Sequence, residues 1–196
     1  MHARILPMGR WEPNARERLQ QAALELFLEH GFEGTTVLQI AERAGLTERT
    51  FFRHFTDKRE VLFAGSNVLT DSMTRAIESA DAMASPMQAV AAGLRSIGEL
   101  IPSQRDFVRA RSLLIESNPE LRERERNKLA GLSESAADAL RRRGVEDSTA
   151  MLTAEIGMAA FRVAFARWIG SGDDRTLNDC ITETLGEIAA LKQTQE

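Results

Sequence analysis

Apolar residues recur at intervals of three to four along almost the whole chain, and no segment alternates apolar and polar residues as a half-buried strand does. Tyrosine is absent and runs of β-branched residues are rare, which also disfavours sheet. Residues that start or stop helices divide the chain into nine segments. We therefore predict an all-α protein with helices at about 14–30, 36–44, 47–54, 57–80, 85–101, 103–117, 119–144, 147–169 and 173–192.

Residues 35–55 have the spacing of a helix-turn-helix. Ala41 is small where two helices must cross, Gly45 tolerates the positive φ of a tight turn, and Phe51 anchors the second helix on the first. A match of three such residues alone is about as often a packed helical pair. Here a supporting helix precedes the motif, threonines cap both short helices, and the second helix has a polar outer face. We therefore predict that the motif binds DNA.

Side chains of the motif suit a DNA groove and its flanking phosphates. The outer face of the second helix consists of Thr47, Glu48, Arg49, Thr50, Phe52 and Arg53. Arg49 can read guanine, and Thr50 can contact a thymine methyl or a phosphate. Thr36 opens the preceding helix, where backbone amides and a hydroxyl can bind a phosphate. Lys58 falls in the first turn of the next predicted helix, where its charge opposes the helix dipole unless a phosphate docks there.

The composition of the chain is compatible with these predictions but gives no independent support for DNA binding. The 196 residues are 43% hydrophobic and 28% charged, as in an ordinary soluble globular protein. The net charge is −4, and residues 1–60 carry nine basic and nine acidic side chains, so charge alone does not point to nucleic acid. Cys180 is the only cysteine, which excludes an intramolecular disulfide. We expect a cytoplasmic protein, since we find neither a signal peptide nor a stretch of membrane-spanning length.

The motif and its flanks resemble the TetR family of transcriptional regulators over about residues 14–65. The residues that carry the resemblance are Leu26-Phe27, Gly31-Phe32, Thr35-Thr36-Val37, Ile40-Ala41, Ala44-Gly45-Leu46, Thr50-Phe51-Phe52, His54-Phe55, Lys58 and Leu62. The resemblance implies a homodimer with a three-helix DNA-binding head (14–56), after a flexible tail (1–13), and a six-helix body (57–196). The body would bind a small ligand and dimerise through its last two helices, and helix 57–80 would link it to the head.

By position, the resemblance assigns DNA contacts to Thr36, Thr47, Arg49, Thr50, Phe52, His54 and Lys58. Family members often have tyrosine where Phe52 stands. Phe52 lacks the hydroxyl that would bond a phosphate, so its contact would be apolar. The Glu48 carboxylate either reads a cytosine amine or only caps the second helix. A histidine such as His54, taken alone, is more often packed or capping than a phosphate ligand.

The last two predicted helices are candidates for a dimer interface. Helix 147–169 is apolar nearly all round, so it must be buried on more than one side, and helix 173–192 has one apolar stripe. Packed against a second copy, they would form a four-helix interface. The residues predicted to contribute to it are Ala160, Trp168, Leu177, Ile181, Leu185 and Ile188. Alternatively, both helices belong only to the core of the monomer.

A ligand pocket in the body is a further prediction. The residues that can line it are Met83, Met87, Phe107, Leu114, Phe161 and Phe165, and Arg111 or Arg162 can pair with an anionic ligand. Alternatively, these are core residues and solvated arginines, since methionine commonly fills cores. The run from Ser117 to Arg126 and the pair Arg167-Trp168 resemble an actinobacterial subgroup of TetR-like regulators. That resemblance implies an apolar or acyl-CoA-like effector.

We therefore predict a dimeric, sequence-specific regulator, a repressor released from a palindromic operator by a small-molecule effector. Two alternatives remain. The protein is an activator, since the sign of regulation depends on where the operator lies. Or it is a helical small-molecule-binding protein whose head is only structural, which predicts no salt-dependent DNA binding. The sequence has no catalytic constellation, metal-ligand spacing or phosphate-binding glycine loop, so we expect no enzyme activity, metal or cofactor.

Overall fold

The computed structural model describes residues 15–101 and 104–191, and within them it contains ten α-helices and no strand. This confirms the all-α prediction. The helices are α1 (Ala15–His30), α2 (Val37–Arg43), α3 (Glu48–His54), α4 (Glu60–Phe63), α5 (Ser66–Glu78), α6 (Pro86–Leu100), α7 (Arg105–Ser117), α8 (Pro119–Arg142), α9 (Asp147–Gly170) and α10 (Leu177–Leu191). The predicted tail (1–13) and the predicted helix ends at residues 14, 103 and 192 lie outside the described residues.

The predicted continuous helix over 57–80 is wrong, because the structure divides it into α4 and α5. Gly65 lies between them with a φ of +91°, a left-handed conformation that ends the helical hydrogen-bond ladder. The chain separates into two compact units at this point, the first ending at Ala64 and the second beginning at Gly65. The first unit therefore includes α4, which lies beyond the predicted end of the head at residue 56.

The first unit consists of α1 to α4, and α1 contacts each of the other three helices. Its core forms because the apolar faces of these short helices meet along one side of α1. The core side chains that are at most 2% exposed are Leu19, Ala23, Phe27, Ile40, Ala41, Phe51, Phe55 and Val61. A helix as short as α2 or α3 is not stable alone in water, so this shared core holds both in place.

The second unit consists of α5 to α10, with α9 in contact with α6, α7, α8 and α10. These neighbours cover one part of the apolar surface of α9, including Ala154, Met158 and Phe161, which are buried. By length and composition, α9 is the one described helix that is apolar enough to cross a membrane, which corrects our finding of no such stretch. The four helices around it bury 44% of that stretch, and the core helix of a soluble protein can pass the same test.

Helix α9 begins at Asp147, as predicted, whereas α10 begins later than predicted. Glu146 caps α9 by accepting hydrogen bonds from the backbone amides of Ser148 and Thr149. The hydrogen bond from the Ser148 hydroxyl, together with those two amide bonds, lowers the pKa of Glu146 to about 2. Helix α10 begins at Leu177 rather than near residue 173, because Thr176 and Asp179 exchange side-chain-to-backbone hydrogen bonds of 2.8 and 3.1 Å.

A close approach of α6 and α9 requires glycine at position 157. A Cβ at Gly157 would lie 2.4 Å from Val90 Cγ1, so Gly157→Ala is expected to destabilise the second unit by about 1–3 kcal/mol through overpacking. Gly131, in α8, is the matched control, since a Cβ there meets no heavy atom within 4 Å. Gly131→Ala should stabilise by about 0.5–1 kcal/mol. Urea unfolding measures both changes, and equal effects would contradict the assigned packing.

Candidate nucleic-acid interface

The turn between α2 and α3 has the geometry expected from the sequence. Ala41 and Phe51 are both fully buried, and Gly45 has a φ of +64°. The turn is closed by hydrogen bonds from Gly45 N to Glu42 O (2.9 Å) and from Leu46 N to Ala41 O (2.8 Å). The three residues that defined the motif therefore act as the small contact, the turn and the anchor of a helix-turn-helix.

The outward side of α3 carries four exposed side chains, Glu48, Arg49, Phe52 and Arg53. Positions 48, 49, 52 and 53 lie within about 140° of arc on a helix, so they form one continuous surface. We call this surface the α3 face. It presents two guanidinium groups, a carboxylate and an aromatic ring side by side, which matches the mixture of donors, acceptors and methyl groups in a major groove.

Two threonines support the start of α3. Thr47 is its N-cap, and its hydroxyl accepts the backbone N–H of Thr50 at 3.2 Å. The two hydroxyl oxygens are also hydrogen-bonded to each other at 3.0 Å. Thr47 thus supplies the side-chain cap, and the Glu48 carboxylate is exposed beside it. This favours an outward role for Glu48 over the capping alternative.

Adjacent phenylalanines in α3 have opposite environments. Phe51 is 0% exposed, whereas Phe52 is 56% exposed and meets the Phe51 ring edge-on, with centroids 5.4 Å apart. Apart from this edge-on contact, the Phe52 ring lies outside the core. It supplies an apolar surface on the α3 face that a thymine methyl group could cover.

Thr36 caps α2 in a reciprocal arrangement with Gln39. Gln39 N donates to Thr36 Oγ1 at 3.2 Å, and Thr36 N donates to Gln39 Oε1 at 2.8 Å. The Thr36 side chain is exposed, so the hydroxyl that caps the helix remains accessible from outside.

Lys58 is not in the first turn of a helix, because α4 begins only at Glu60. The predicted conflict with a helix dipole is therefore wrong. The Lys58 Nζ instead donates to two carbonyl oxygens, Phe32 O at 2.8 Å and Thr35 O at 3.1 Å. It also lies 4.5 Å from the centroid of the Phe32 ring, a cation–π contact.

Two supporting arginines were missed by the sequence analysis because their partners are distant along the chain. Arg18 Nη2 donates to Ala44 O at 2.5 Å, just before the turn. Arg43 forms a bidentate ion pair with Glu29, at 3.0 and 2.8 Å. Separations of 26 and 14 residues leave no periodic signal in a sequence. Both contacts hold α2 against α1. Because α3 packs on these two helices, the contacts also fix the position of α3.

His54 lies at the end of α3 with its ring partly buried. Its Nε2 is enclosed and makes no hydrogen bond with any residue that the structure describes. Burial lowers the pKa of His54, and the charges of Arg53 and Arg16 lower it further. The imidazole is therefore neutral at pH 7, so any phosphate contact by His54 would be a neutral hydrogen bond.

The lowered pKa of His54 predicts a pH dependence of stability. The unfolded chain takes up a proton on this histidine near pH 6.5, while the folded state resists until a lower pH. The unfolded state therefore binds more protons below pH 6.5, and the free energy of unfolding should fall as pH falls. We expect a steeper decrease between pH 7 and 5 in the wild type than in His54→Gln, measured by thermal unfolding. Parallel profiles for the two proteins would rule this out.

The predicted ligand residues are distributed over several environments. Met83 is 91% exposed, and Arg162 is exposed on α9. Leu114 and Phe161 are buried. Met87, Phe107 and Phe165 are half-buried, with Phe165 stacked on Phe161 at 6.0 Å between centroids. The structure brings Phe161 and Phe165 together but leaves Met83 in solvent, where it lines no enclosed space.

Arg111 belongs to a partly buried ion cluster between α7 and α8. Its Nη2 lies 3.2 Å from Glu125 Oε2, and Lys128 Nζ lies 3.4 Å from Glu125 Oε1. Burial alone would raise the pKa of Glu125, but the charges of Arg111 and Lys128 outweigh it and hold the pKa below its usual value. Glu125 also lines an open surface cavity of about 500 Å³. The predicted ligand residues are not among those lining that cavity.

The predicted dimerisation residues divide into two groups. Ala160, Trp168, Leu177 and Ile181 are at most 4% exposed, in the core of the single chain. These four occupy the positions that the monomer-core alternative expected. Leu185 and Ile188 are half-buried.

Comparisons with known proteins agree with this architecture. Residues 19–64 match the model of bacterial regulatory proteins of the tetR family, and residues 84–192 match the model of the MftR C-terminal domain. Over 112 residues the chain is 38% identical to the HTH-type transcriptional regulator TcmR of Streptomyces glaucescens, a segment covering 54% of this chain and about half of TcmR (50%). It is 25% identical over 179 residues to MftR of Mycobacterium tuberculosis, covering 91% of this chain and 89% of MftR.

A solved structure has the same fold. FadR of Thermus thermophilus, a TetR-family transcriptional repressor, aligns with a TM-score of 0.52 and 24% sequence identity, over 89% of this chain and 93% of that chain. The C-terminal family model covers more than half of the chain, and the N-terminal model covers the helix-turn-helix. These matches confirm the resemblance seen in the sequence, and the chain belongs to the TetR family of bacterial transcriptional regulators.

Proposed function

We propose that this protein represses transcription as a dimer, by binding a palindromic operator through the α3 face and releasing it when a small molecule binds the body. The observation that carries the proposal is the contrast within α3. Phe51 is fully buried and fixes the helix, while Glu48, Arg49, Phe52 and Arg53 are exposed together on its opposite side. A rigid helix with such a face fits the major groove.

In the proposed complex, side chains of the α3 face contact base edges, and residues next to that face contact phosphates. Arg49 and Arg53 are suited to guanine or phosphate, Glu48 to a cytosine amine, and Phe52 to a thymine methyl. Thr36, Thr47, Thr50 and His54 are the proposed neutral phosphate contacts. Because residues 1–60 have no net charge, affinity must come from these placed groups rather than from a broad basic surface.

The proposal is tested by measuring binding to the DNA upstream of the protein's own transcript, at several salt concentrations. A specific complex should weaken with salt, with a slope of log K against log salt near −0.9 for each phosphate that a cationic side chain such as Arg49 or Arg53 neutralises. Binding that is absent, or independent of salt, would favour the alternative of a structural head. A reporter with the operator placed over a promoter separates the repressor from the activator.

We propose that the second copy docks on the exposed sides of α9 and α10. On α9 this side carries Met151 (53% exposed), Leu152 (64%) and Val163 (45%), together with the small residue Ala166. On α10, small residues are exposed at positions 186, 189 and 190. Small residues let two helices approach closely, and large exposed apolar side chains favour burial against a second copy. A dimer would present two α3 faces to half-sites about 34–36 Å apart.

The oligomeric proposal has a matched pair of variants. Val163→Glu places a charge in the proposed interface and is expected to give monomers in sedimentation experiments. Leu113→Glu is the control, since Leu113 on α7 is 62% exposed but lies outside the proposed surface. It should leave the dimer intact. A Val163→Glu variant that remains dimeric would remove α9 from the interface.

We propose that the effector is apolar or acyl-CoA-like and binds within the body. The pair Phe161 and Phe165 supplies an apolar wall, and the candidates for pairing with an anionic group are Arg162, which is exposed, and Arg111, which is paired with Glu125. The structure of Thermus thermophilus FadR contains lauroyl-CoA, which makes this compound a suitable first probe. An effector that prefers the DNA-free state weakens operator binding by linkage. Lauroyl-CoA should therefore release the operator, whereas coenzyme A alone should not.

A further inference from the structure

We infer that Lys58 is a positioning residue for DNA binding, which holds the loop between α1 and α2 in place. This inference rests on the proposed DNA-binding function. The loop consists of residues 31–36 and ends at Thr36, the N-cap of α2. Its conformation therefore sets where α2 begins and how α2 supports α3.

The ammonium group of Lys58 is already engaged within the first unit. Nζ donates to Phe32 O at 2.8 Å and to Thr35 O at 3.1 Å, and it lies 4.5 Å from the centroid of the Phe32 ring. An ammonium has three N–H groups. Two carbonyl oxygens and one ring face provide three acceptors for them, so a phosphate would have to displace one of these contacts.

A second set of hydrogen bonds, made by the Thr35 side chain, holds the same loop against α1. Thr35 is 1% exposed, and its Oγ1 donates to Gly31 O at 2.9 Å and approaches Leu26 O at 3.2 Å. Thr35 therefore joins the loop to the end of α1, while Lys58 joins it to the segment before α4. The Thr35 carbonyl is also one of the two acceptors of Lys58, so both ties act on the residue next to Thr36.

Arginine distinguishes the two roles of Lys58. A guanidinium binds phosphate at least as well as an ammonium does, so Lys58→Arg should preserve a direct phosphate contact. A guanidinium is larger than an ammonium and its N–H groups are fixed in one plane, so in the space that Lys58 Nζ occupies it would not reproduce the bonds of 2.8 and 3.1 Å together with the ring contact. If Lys58 positions the loop, the substitution removes the tie although the charge remains.

The experiment compares operator affinity for the full-length wild type, Lys58→Arg, Lys58→Met and Thr35→Val. We expect the operator affinity of each variant to be at least about tenfold lower than that of the wild type, because each variant loses hydrogen bonds that hold the loop. The Lys58→Met and Thr35→Val losses should not add in the double variant, since both act on one loop. The Thr35 side chain is 1% exposed and cannot itself reach DNA, so its effect reports positioning.

Hydrogen exchange of the protein without DNA provides a second readout. Amides of residues 32–36 should exchange faster in Lys58→Arg than in the wild type, at a temperature where thermal unfolding shows both to be folded. Lys58→Arg with wild-type affinity and unchanged exchange would overturn the inference, as would Thr35→Val with wild-type affinity. If the wild type itself binds no operator, the proposed function fails, while the exchange measurement still tests the tie.

Discussion

Arg49→Ala is expected to lower the affinity of the dimer for its operator by about 30-fold to 10⁴-fold. A bidentate contact between arginine and guanine contributes about 1–3 kcal/mol to discrimination, and a dimer makes it twice, for about 2–6 kcal/mol in total. Arg49 is exposed on the α3 face, so its removal should leave the fold intact. Adding Thr50→Ala should lower the affinity further. Gel-shift titration against the operator and against unrelated DNA measures the loss of specificity.

The control for this prediction is Arg95→Ala, which removes an equal charge from an exposed position on α6 in the second unit. It should leave operator affinity near that of the wild type. Binding to unrelated DNA should change much less than operator binding in Arg49→Ala. Unchanged operator binding in a folded dimer carrying both Arg49→Ala and Thr50→Ala would remove these residues from the contact set.

Phe51→Ala is expected to unfold the first unit and abolish DNA binding. Truncating a fully buried phenylalanine costs about 3–5 kcal/mol, whereas a unit of this size has a stability of only a few kcal/mol, at about 0.05–0.15 kcal/mol per residue. The second unit has a core of its own and should remain folded. Circular dichroism should therefore show partial loss of helix at 25 °C and a remaining cooperative transition.

Phe52→Ala is the matched control, since Phe52 is the next residue and is 56% exposed. Its stability should stay within about 0.5 kcal/mol of the wild type, as for most surface substitutions. Its operator affinity should nevertheless decrease, because the apolar contact on the α3 face is lost. The pair thus separates a fold defect from a contact defect. Equal thermal stability of Phe51→Ala and the wild type would contradict the anchor role of Phe51.

Much of the helix-turn-helix could be predicted from the sequence because its determinants are local. Ala41, Gly45 and Phe51 lie within eleven residues, and the caps at Thr36 and Thr47 bond backbone groups three residues away. Such features depend on backbone conformation and on the helical repeat, both of which short spacings report. The outer face of α3 followed from the same repeat, once Phe51 was identified as the buried side.

Other parts of the site depended on contacts between distant segments. Lys58 was expected to face a phosphate, but it bonds carbonyls 23 and 26 residues away. Val163 and Trp168 lie five residues apart on one helix, yet one is exposed and the other buried, because neighbouring helices cover only part of α9. The apolar character of a residue does not show which helix covers its side chain. The sequence therefore could not separate the residues of the monomer core from those of the proposed dimer interface.

The sequence by itself determined the helical class, the helix-turn-helix, most of its caps and the family resemblance. These rest on periodicity and on hydrogen bonds that close within a few residues, so they need no knowledge of packing. Only the tertiary structure decided that Gly65 divides the predicted fourth helix, that Lys58 ties a loop, and that Trp168 and Ile181 belong to the core. The physical reason is that burial and long-range hydrogen bonds depend on which elements meet, and a linear pattern does not contain that information.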